Sequence, residues 1–440
     1  DKIVELVHDA QVNKASGERI SQWFGQKYTF LVVGAFLVSL GLRYFAFHTP
    51  FGSALLTSLT LLVALSPCAL VISTPASTLS ALTWAARHGI LVRGGSFVEA
   101  SGRIDTVVID KTGTLTEGKP KLQEICLCSH AHVHAGATCI DEDKCWSGGS
   151  QMSEEALAIL RAAAAAEQYS THPVAEAIVM AAREWKVDVP EALDQRVHPG
   201  LGVSANVDGK PVAIGQLRFI QQQVTPTDEF VEHTKLLQAR GLTVALIASG
   251  GELAALGFQD SPRSGARDLV QDLRALGVGE IHMLTGDTEE TARSVAAAVG
   301  VDTFRAGLMP DQKTEAIANL VDKGRSVMMV GDGINDAPSL ARATVGVAMG
   351  GLGSDVALNS ADVVLMHDKL SRIPDLINLG RRTNGIILAN LVFATAVIAT
   401  LTVTSLFFRL ALPVAVIGHE GSTVIVILNG LRLLRGPRTD

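Results

Sequence analysis

Three short apolar runs in this chain end in residues suited to handling a phosphoryl group. Thr106-Val107-Val108-Ile109 runs into Asp110-Lys111-Thr112-Gly113-Thr114-Leu115-Thr116. Ile281-His282-Met283-Leu284 runs into Thr285-Gly286-Asp287, and Ser326-Val327-Met328-Met329-Val330 runs into GDGINDAP at 331–338. Phosphoryl transfer needs a nucleophile, a metal held by carboxylates, and donors or cations around the equatorial oxygens. Asp110 can be the nucleophile, and Thr112, Gly113 and Thr114 offer hydroxyls and backbone groups to Mg²⁺ and phosphoryl oxygens. Asp332, alone or with Asp336, can hold Mg²⁺ together with Asp110 and Thr112. Thr285 and Lys313, the latter in Pro310-Asp311-Gln312-Lys313, can hold the phosphate. An ordinary turn after a strand would explain one such end; three in one chain argue against coincidence.

Such residues need a scaffold that brings strand ends together. The runs are short, β-branched and unalternating, as in strands buried on both faces of a parallel sheet, where ligands bind beyond the carboxyl ends. The phosphorylation region leaves this sheet near Leu122 and resumes near Gly257-Phe258-Gln259-Asp260, so the stretch between reads as an inserted domain. It contains the helix-forming run ALAILRAAAAAEQYSTHPVAEAIVMAAREW, broken at Thr171-His172-Pro173, followed by Pro199-Gly200-Leu201-Gly202 and strand-like Val212-Ala213-Ile214.

The chain has 440 residues, 48% of them hydrophobic, a net charge of −7 and a mean hydropathy of +0.30. Length suggests about three domains, and nothing points to nucleic acid. Five cysteines in 440 residues make no disulfide framework. The chain begins with Asp and has no signal-peptide pattern, as expected of a fragment or processed protein. Apolar stretches at about 28–47, 53–80, 386–408 and 411–431 approach the ~20 residues that span a bilayer. They form two hairpins, one at each end. Arg87, Arg93, Arg381, Arg382, Arg432, Arg435 and Arg438 put residues 90–380 and both ends in the cytosol by the positive-inside rule.

The motifs DKTGTLT, TGD and GDGINDAP resemble those of the P-type ATPases, which share a phosphorylation domain with the haloacid-dehalogenase superfamily. The resemblance implies that ATP phosphorylates Asp110, with Mg²⁺ as cofactor, and that Lys111, Thr112, Thr285, Gly286, Asp287, Lys313 and Asn335 complete the catalytic set. Superfamily phosphatases carry a second Asp two positions after the nucleophile. Thr112 stands there, which favours a long-lived aspartyl phosphate. The inserted domain resembles the nucleotide-binding domain of heavy-metal P-type ATPases, which implies that Glu167, His172, Gly200 and Gly202 line an adenine pocket. His172 would stack on the base or hydrogen-bond to it. Gln216 follows Gly215 where many relatives have Asn; its amide can still bond. Asp260 and Arg263, in DSPRSGA, resemble the family's domain-hinge pair.

Pro67, in SPC at 66–68, frees backbone carbonyls within an apolar stretch, beside the Cys68 thiol and the Ser66 hydroxyl. His419 and Glu420, in HEGST at 419–423, are costly inside a membrane helix and functional by default, unless they sit at a helix end among headgroups. The pairing of SPC with HEGST resembles the cobalt/zinc subgroup of type IB, heavy-metal-transporting P-type ATPases. Cys68, His419 and Glu420, with Ser66 and Thr423, form a mixed sulfur, nitrogen and oxygen set suited to borderline divalent ions such as Zn²⁺ or Co²⁺.

Two features depart from the family pattern. The actuator domain and upstream helices are missing and are expected partners from a longer protein; Ser16-Gly17-Glu18 matches the actuator loop only by chance, because VELVHDAQVNKASGERI matches the segment after it. Also, CLCSHAHVHAGATCIDEDKC at 126–145 interrupts the inserted domain. On a strand, Cys126, Cys128, His130, His132 and His134 would share a face and could bind a regulatory metal, with Cys139, Cys145 and the Asp141-Glu142-Asp143 run as further possible ligands. No standard zinc spacing fits, which favours a solvent-exposed insert.

The expected architecture is multidomain: an α-helical transmembrane domain plus an α/β haloacid-dehalogenase-like, Rossmann-like phosphorylation domain with an inserted α+β nucleotide-binding domain. Its segments are a lead-in helix at 1–27, membrane hairpins at 28–92 and 371–440, phosphorylation halves at 93–124 and 257–370, and the nucleotide domain at 125–256, with its Cys/His insert at 126–150. The expected function is ATP-driven export of a Zn/Co-class divalent cation from a multi-pass site in the bilayer, in the plasma (inner) membrane of a bacterium. The alternatives are a membrane-anchored phosphatase of the same superfamily and a non-cycling metal-binding fragment.

Overall fold

A computed structural model of the chain describes residues 19–129, 145–148, 151–170, 172–198, 200–333, 336–350, 360–408 and 410–436. Among these described residues the strands are β1 Ile90–Val92, β2 Thr106–Asp110, β3 Lys121–Ser129, β4 Cys145–Ser147, β5 Leu193–His198, β6 Gly202–Val207 and β7 Lys210–Gly215, followed by β8 Thr243–Ser249, β9 Glu252–Gln259, β10 Glu280–Leu284, β11 Thr303–Arg305, β12 Val327–Gly331, β13 Val345–Met349 and β14 Val363–Leu365. They form two seven-stranded sheets. The chain divides into two compact units: Asp1–Val108 with Gln271–Ile281 and Pro310–Asp440, and Ile109–Val270 with His282–Met309.

The first sheet has the order β1-β14-β13-β12-β2-β10-β11. The pairs β10–β11, β12–β13 and β13–β14 run parallel, and β1 closes one edge antiparallel to β14. Every residue of β2, β12 and β13 is buried. That is the expected fate of unalternating apolar runs covered on both faces.

The second sheet lies wholly in the second unit, in the antiparallel order β4-β3-β9-β8-β7-β6-β5. The helices Glu154–Glu167 and Pro173–Glu184 pack on one face through Ile159, Leu160, Ile178 and a run of alanines. Leu217–Ile220 and Asp228–Ala239 pack on the other through Phe219, Phe230 and Leu237. Ser153 and Thr227 each cap a helix here, accepting from Ala156 N and Phe230 N. The segment Gly257–Gln259 corrects one expectation. It does not resume the first sheet but ends β9, pairing with β3 and β8 of the inserted sheet. The reason is that the Leu253–Phe258 run is buried throughout and needs neighbours on both edges. The inserted sheet thus starts at Lys121 and ends at Gln259, slightly outside 125–256.

In the first unit, the segments Phe51–Arg87, Arg372–Phe407 and Leu412–Arg435 are helical, long and apolar enough to cross a membrane. Phe30–Ala46 is a shorter apolar helical stretch. Leu388, Val392, Ile417 and Val424 are each more than half exposed on these helices, as lipid-facing side chains must be. The expected break at Pro67 is present: one helix is Phe51–Ala64 and the next is Cys68–Arg87. Gly102 and Gly380 let a short helix, Gly95–Ser101, abut the long helix Arg372–Phe407; a Cβ on either would meet backbone of the other at 2.4 Å. The expected lead-in helix at 1–27 is described only from Arg19, within the helix Arg19–Gly41.

Candidate functional sites

Asp110 ends β2 and is 3% exposed. The next residues, Lys111–Leu115, make one irregular turn with Gly113 at φ 73°. Arg263 and Asp260 hold this turn. Arg263 donates from its side chain to Gly113 O (2.9 Å) and from its backbone to Leu115 O (2.7 Å). Asp260 accepts from Thr116 Oγ1 (2.5 Å) and Gly118 N (3.0 Å). Burial pushes the Asp260 carboxyl up against the opposing pull of the Thr116 bond and the Lys111 charge. The resemblance to a hinge pair thus has a concrete counterpart: Asp260 and Arg263 clamp the loop that carries Thr112 and Thr114. Thr112 is exposed. Thr114 Oγ1 is buried with no hydrogen-bond partner, a vacancy that phosphoryl or metal-bound oxygen could fill.

Lys111 is ion-paired with Asp287. Asp287 in turn is joined to Thr285, whose Oγ1 donates to Asp287 Oδ2 (3.2 Å) and accepts from Asp287 N (3.1 Å). Strand β10 therefore delivers Thr285, Gly286 and Asp287 as one turn, tied to the residue after Asp110.

The remaining phosphate residues belong to the other unit. Lys313 Nζ donates to Asp336 Oδ1 at 3.0 Å. Asp336 is 1% exposed, and its Oδ2 has no partner. Burial raises its carboxyl pKa, Lys313 opposes that, and the Asp332 charge adds to it while the Asp332 backbone opposes it. A buried orphan carboxylate oxygen beside a second Asp suits a hard divalent cation such as Mg²⁺. Asn335 lies outside the described residues.

All five residues expected at the nucleotide line one cavity of about 310 Å³: Glu167, His172, Gly200, Gly202 and Gln216. Glu167 ends the helix Glu154–Glu167; its Oε2 is buried without a partner, and burial raises its pKa against a Ser170 hydrogen bond. His172 caps the next helix, its Nδ1 accepting from Val174 N at 3.2 Å, so the proton sits on Nε2. Gly202 and Gly215 face each other across β6 and β7. A Cβ at Gly202 would meet Ile214 O at 2.2 Å, and one at Gly215 would meet Leu201 O at 2.2 Å. Their lack of a side chain is therefore already needed by the sheet. Gly200, at φ 71° with open space around it, is the glycine that turns the loop at the cavity mouth. Sequence reasoning missed His198 and Thr243–Ala245, which also line the cavity. No local signal marks them; they reach the cavity through the order of the strands. A second cavity of about 580 Å³ shares Gln216, Thr243 and Val244 with the first and reaches Gly286, Asp287 and Thr288.

The membrane residues are arranged differently. Ser66 Oγ and Cys68 Sγ are 3.1 Å apart at the helix break, with Cys68 exposed. His419 lies inside the helix Leu412–Leu431, away from its ends, and is 5% exposed. Glu420, the next residue, points outward with its side chain 66% exposed, its Oε1 3.9 Å from His419 Nε2. Thr423 Oγ1 donates to His419 O at 3.3 Å. Ala69, beside Cys68, packs with Ala394 and Val426. Val426 is two helical turns beyond His419, roughly 10 Å along the axis. Among the described residues, Cys68, His419 and Glu420 do not converge as a trio; the trio whose ligand atoms all lie within 4.8 Å is Cys126, Cys145 and His233. In the Cys/His insert, Cys126 is on β3 and opposite Cys145. The Cys128 backbone pairs with Leu253, whereas His130, His132 and His134 lie outside the described residues.

The sequence profile of the haloacid dehalogenase-like hydrolases matches residues 104–344. A crystal structure of a zinc-transporting PIB-type ATPase in the E2.Pi state superposes with a TM-score of 0.75 at 36% identity, covering 99% of this chain and 67% of that one. The chain belongs to the heavy-metal-transporting P-type ATPases. It is 37% identical over 433 residues to a Mycobacterium tuberculosis protein described as "Probable cobalt/nickel-exporting P-type ATPase", covering 98% of this chain and 62% of that protein. To the zinc-transporting ATPase of Bacillus subtilis it is 35% identical over 437 residues, covering 99% of this chain and 64% of that protein. The chain thus spans just under two thirds of these relatives' length. Within this P-type ATPase chain, the apolar helices and the paired sheets correspond to the membrane, phosphorylation and nucleotide-binding regions expected from the motifs.

Proposed function

We propose that this chain is the catalytic and transport portion of an ATPase that exports a divalent transition metal through an aspartyl-phosphate intermediate. The observation that carries the reading is the pair of cavities in the second unit. One is lined by all five residues expected at adenine, the other reaches Asp287, and they share the Gln216–Val244 wall. Glu167 Oε2 lacks a donor and is the natural acceptor for an exocyclic amino group; His172, with its proton on Nε2, donates or stacks. Asp110 attacks the γ-phosphorus of ATP, an oxygen–phosphorus bond forms, and the bond to the β–γ bridging oxygen breaks as ADP leaves. Lys111 and Thr285 neutralise and hold the transferred group, with Lys313 in the same role. Mg²⁺, when bound through Asp332 and Asp336 with Asp110 and Thr112, supplies charge neutralisation of the phosphoryl oxygens. Thr112 provides no base for rapid hydrolysis, so the phosphoenzyme persists.

The proposed cargo site is Cys68, His419 and Glu420, with Ser66 and Thr423 in support. Two negative ligands and a neutral imidazole match a borderline divalent ion, Zn²⁺ or Co²⁺. Glu420 Oε1 already stands 3.9 Å from His419 Nε2, so loading would require a helix movement that brings Cys68 to this pair. The test is labelling of the full-length protein by γ-³²P-ATP with Mg²⁺. An acid-stable, hydroxylamine-labile phosphoenzyme is expected, and persistence of label in Asp110→Asn would overturn the assignment.

A further inference from the structure

On β3, strand alternation puts Glu124 and Cys126 on one face. Cys126 is 2% exposed and directly opposite Cys145 in the β3–β4 ladder, and the two are joined there as a disulfide. The helix Asp228–Ala239 covers that face of the sheet, where its Phe230 and Leu237 share a core with Leu253 and Ala255, the β9 neighbours of Cys128 and Cys126. This helix carries His233. The two sulfurs and an imidazole nitrogen all lie within 4.8 Å of one another. His233 Nε2 is buried and makes no hydrogen bond.

We propose that Cys126, Cys145 and His233, with both thiols reduced, form a second metal site, for a thiophilic divalent cation of the Zn²⁺ class. A disulfide alone leaves the buried imidazole nitrogen without a task, whereas a metal uses all three groups. With Zn–S near 2.3 Å and Zn–N near 2.0–2.1 Å, tetrahedral ligand atoms stand about 3.5–3.8 Å apart; the bonded sulfurs must therefore part on reduction, while His233 already stands within 4.8 Å of both. Glu124 is not a competing ligand, because Arg240 occupies its carboxylate, with NH1 2.9 Å from Oε2. Three protein ligands leave a fourth position for water or an incoming thiol. Binding displaces two thiol protons and joins the edge strand β4 to the helix Asp228–Ala239. Thr234 and Gln238 of that helix line the cavity that reaches Asp287, so occupancy of this site stiffens a cavity wall. The site shares no residue with the membrane ligands and does not depend on the phosphorylation reading.

The test uses the full chain in detergent with a non-thiol reductant and Co²⁺ as the probe. Wild type should develop thiolate-to-cobalt charge-transfer absorption and tetrahedral d–d bands. Cys145→Ser should lose charge-transfer intensity, and His233→Ala should shift the d–d bands and weaken Co²⁺ affinity at least ~10-fold, on the scale of lost metal-site partners. Wild type alone gives a second readout that needs no variant: Zn²⁺ should slow alkylation of Cys126 and Cys145, read by mass spectrometry. Spectra unchanged in both variants would place the cobalt elsewhere and overturn the site. Recovery of Cys126 and Cys145 as a disulfide in a reducing glutathione buffer containing Zn²⁺ would overturn it too.

Discussion

The inserted domain and the membrane helices treat their expected ligands in opposite ways. Around the 310 Å³ cavity, Glu167, His172, Gly200, Gly202 and Gln216 already face one space. In the membrane, His419 is buried while Glu420 is exposed, and Cys68 lies at a helix break near the level of Val426. The difference follows from what positions each group. In the cavity, sheet register and two helix ends fix the neighbours. On a membrane helix, consecutive residues diverge by about 100°, so His419 is buried and Glu420 exposed although their side-chain tips stand 3.9 Å apart, and Cys68, on another helix, is not brought to them. A preassembled binding pocket is thus paired with a cargo site that needs movement to form.

The sharpest way to break this contrast is at its two chemical centres. Asp110→Asn should abolish hydroxylamine-labile phosphorylation while nucleotide binding to the cavity persists, measured by labelling and by fluorescent-nucleotide titration. Next in size is the membrane pair. In the full-length pump, His419→Ala and Glu420→Ala should each remove most metal-stimulated ATP hydrolysis and leave nucleotide affinity unchanged. Unaltered stimulation in both would mean that the diverging geometry is the functional one and that HEGST is no cargo site.

Smaller effects test the preassembled side. Gly202→Ala forces a Cβ to within 2.2 Å of Ile214 O and should destabilise the inserted domain by about 1–3 kcal/mol in denaturant unfolding. Asp260→Asn weakens the bonds to Thr116 and Gly118. It should cost about 1.5 kcal/mol of loop stability and slow phosphoenzyme formation more than it weakens nucleotide binding. Glu167→Gln should lower ATP affinity roughly fivefold, about 1 kcal/mol, on losing the charged acceptor. It should also change the pH profile. Burial raises the Glu167 pKa, so the folded state holds the proton more tightly than the unfolded one. Stability from this group is therefore lost as pH rises out of the ordinary carboxylate range. The Gln variant should melt at a higher temperature than wild type above that range and near it below.

Much of this was legible in the residue order. The β2, β10 and β12 strands fall within a residue or two of the apolar runs; for β2 and β12 the reason is that strands buried on both faces have no polar face to confuse the pattern. The Pro67 break was legible for an equally local reason. The Gly257–Gln259 assignment failed because a buried apolar strand looks the same in either sheet. His198 and the Thr243–Ala245 stretch were invisible as cavity residues because nothing local marks them. They reach the cavity only through the order β8-β7-β6-β5.

Contiguous motifs carried the chemistry by themselves. In DKTGTLT, TGD and GDGINDAP, the strand, the turn and the reactive group adjoin in the chain, so local rules suffice to read them. Spatial assembly decided everything that depends on distant partners. Asp260 and Arg263 clamp the 111–118 loop across some 150 residues. Cys126 is matched with Cys145 and His233 rather than with its alternating neighbours in sequence. Gly202 is held against Gly215, and Glu420 faces outward while His419 is buried. Period and composition say which face a residue takes, but only packing says what that face meets.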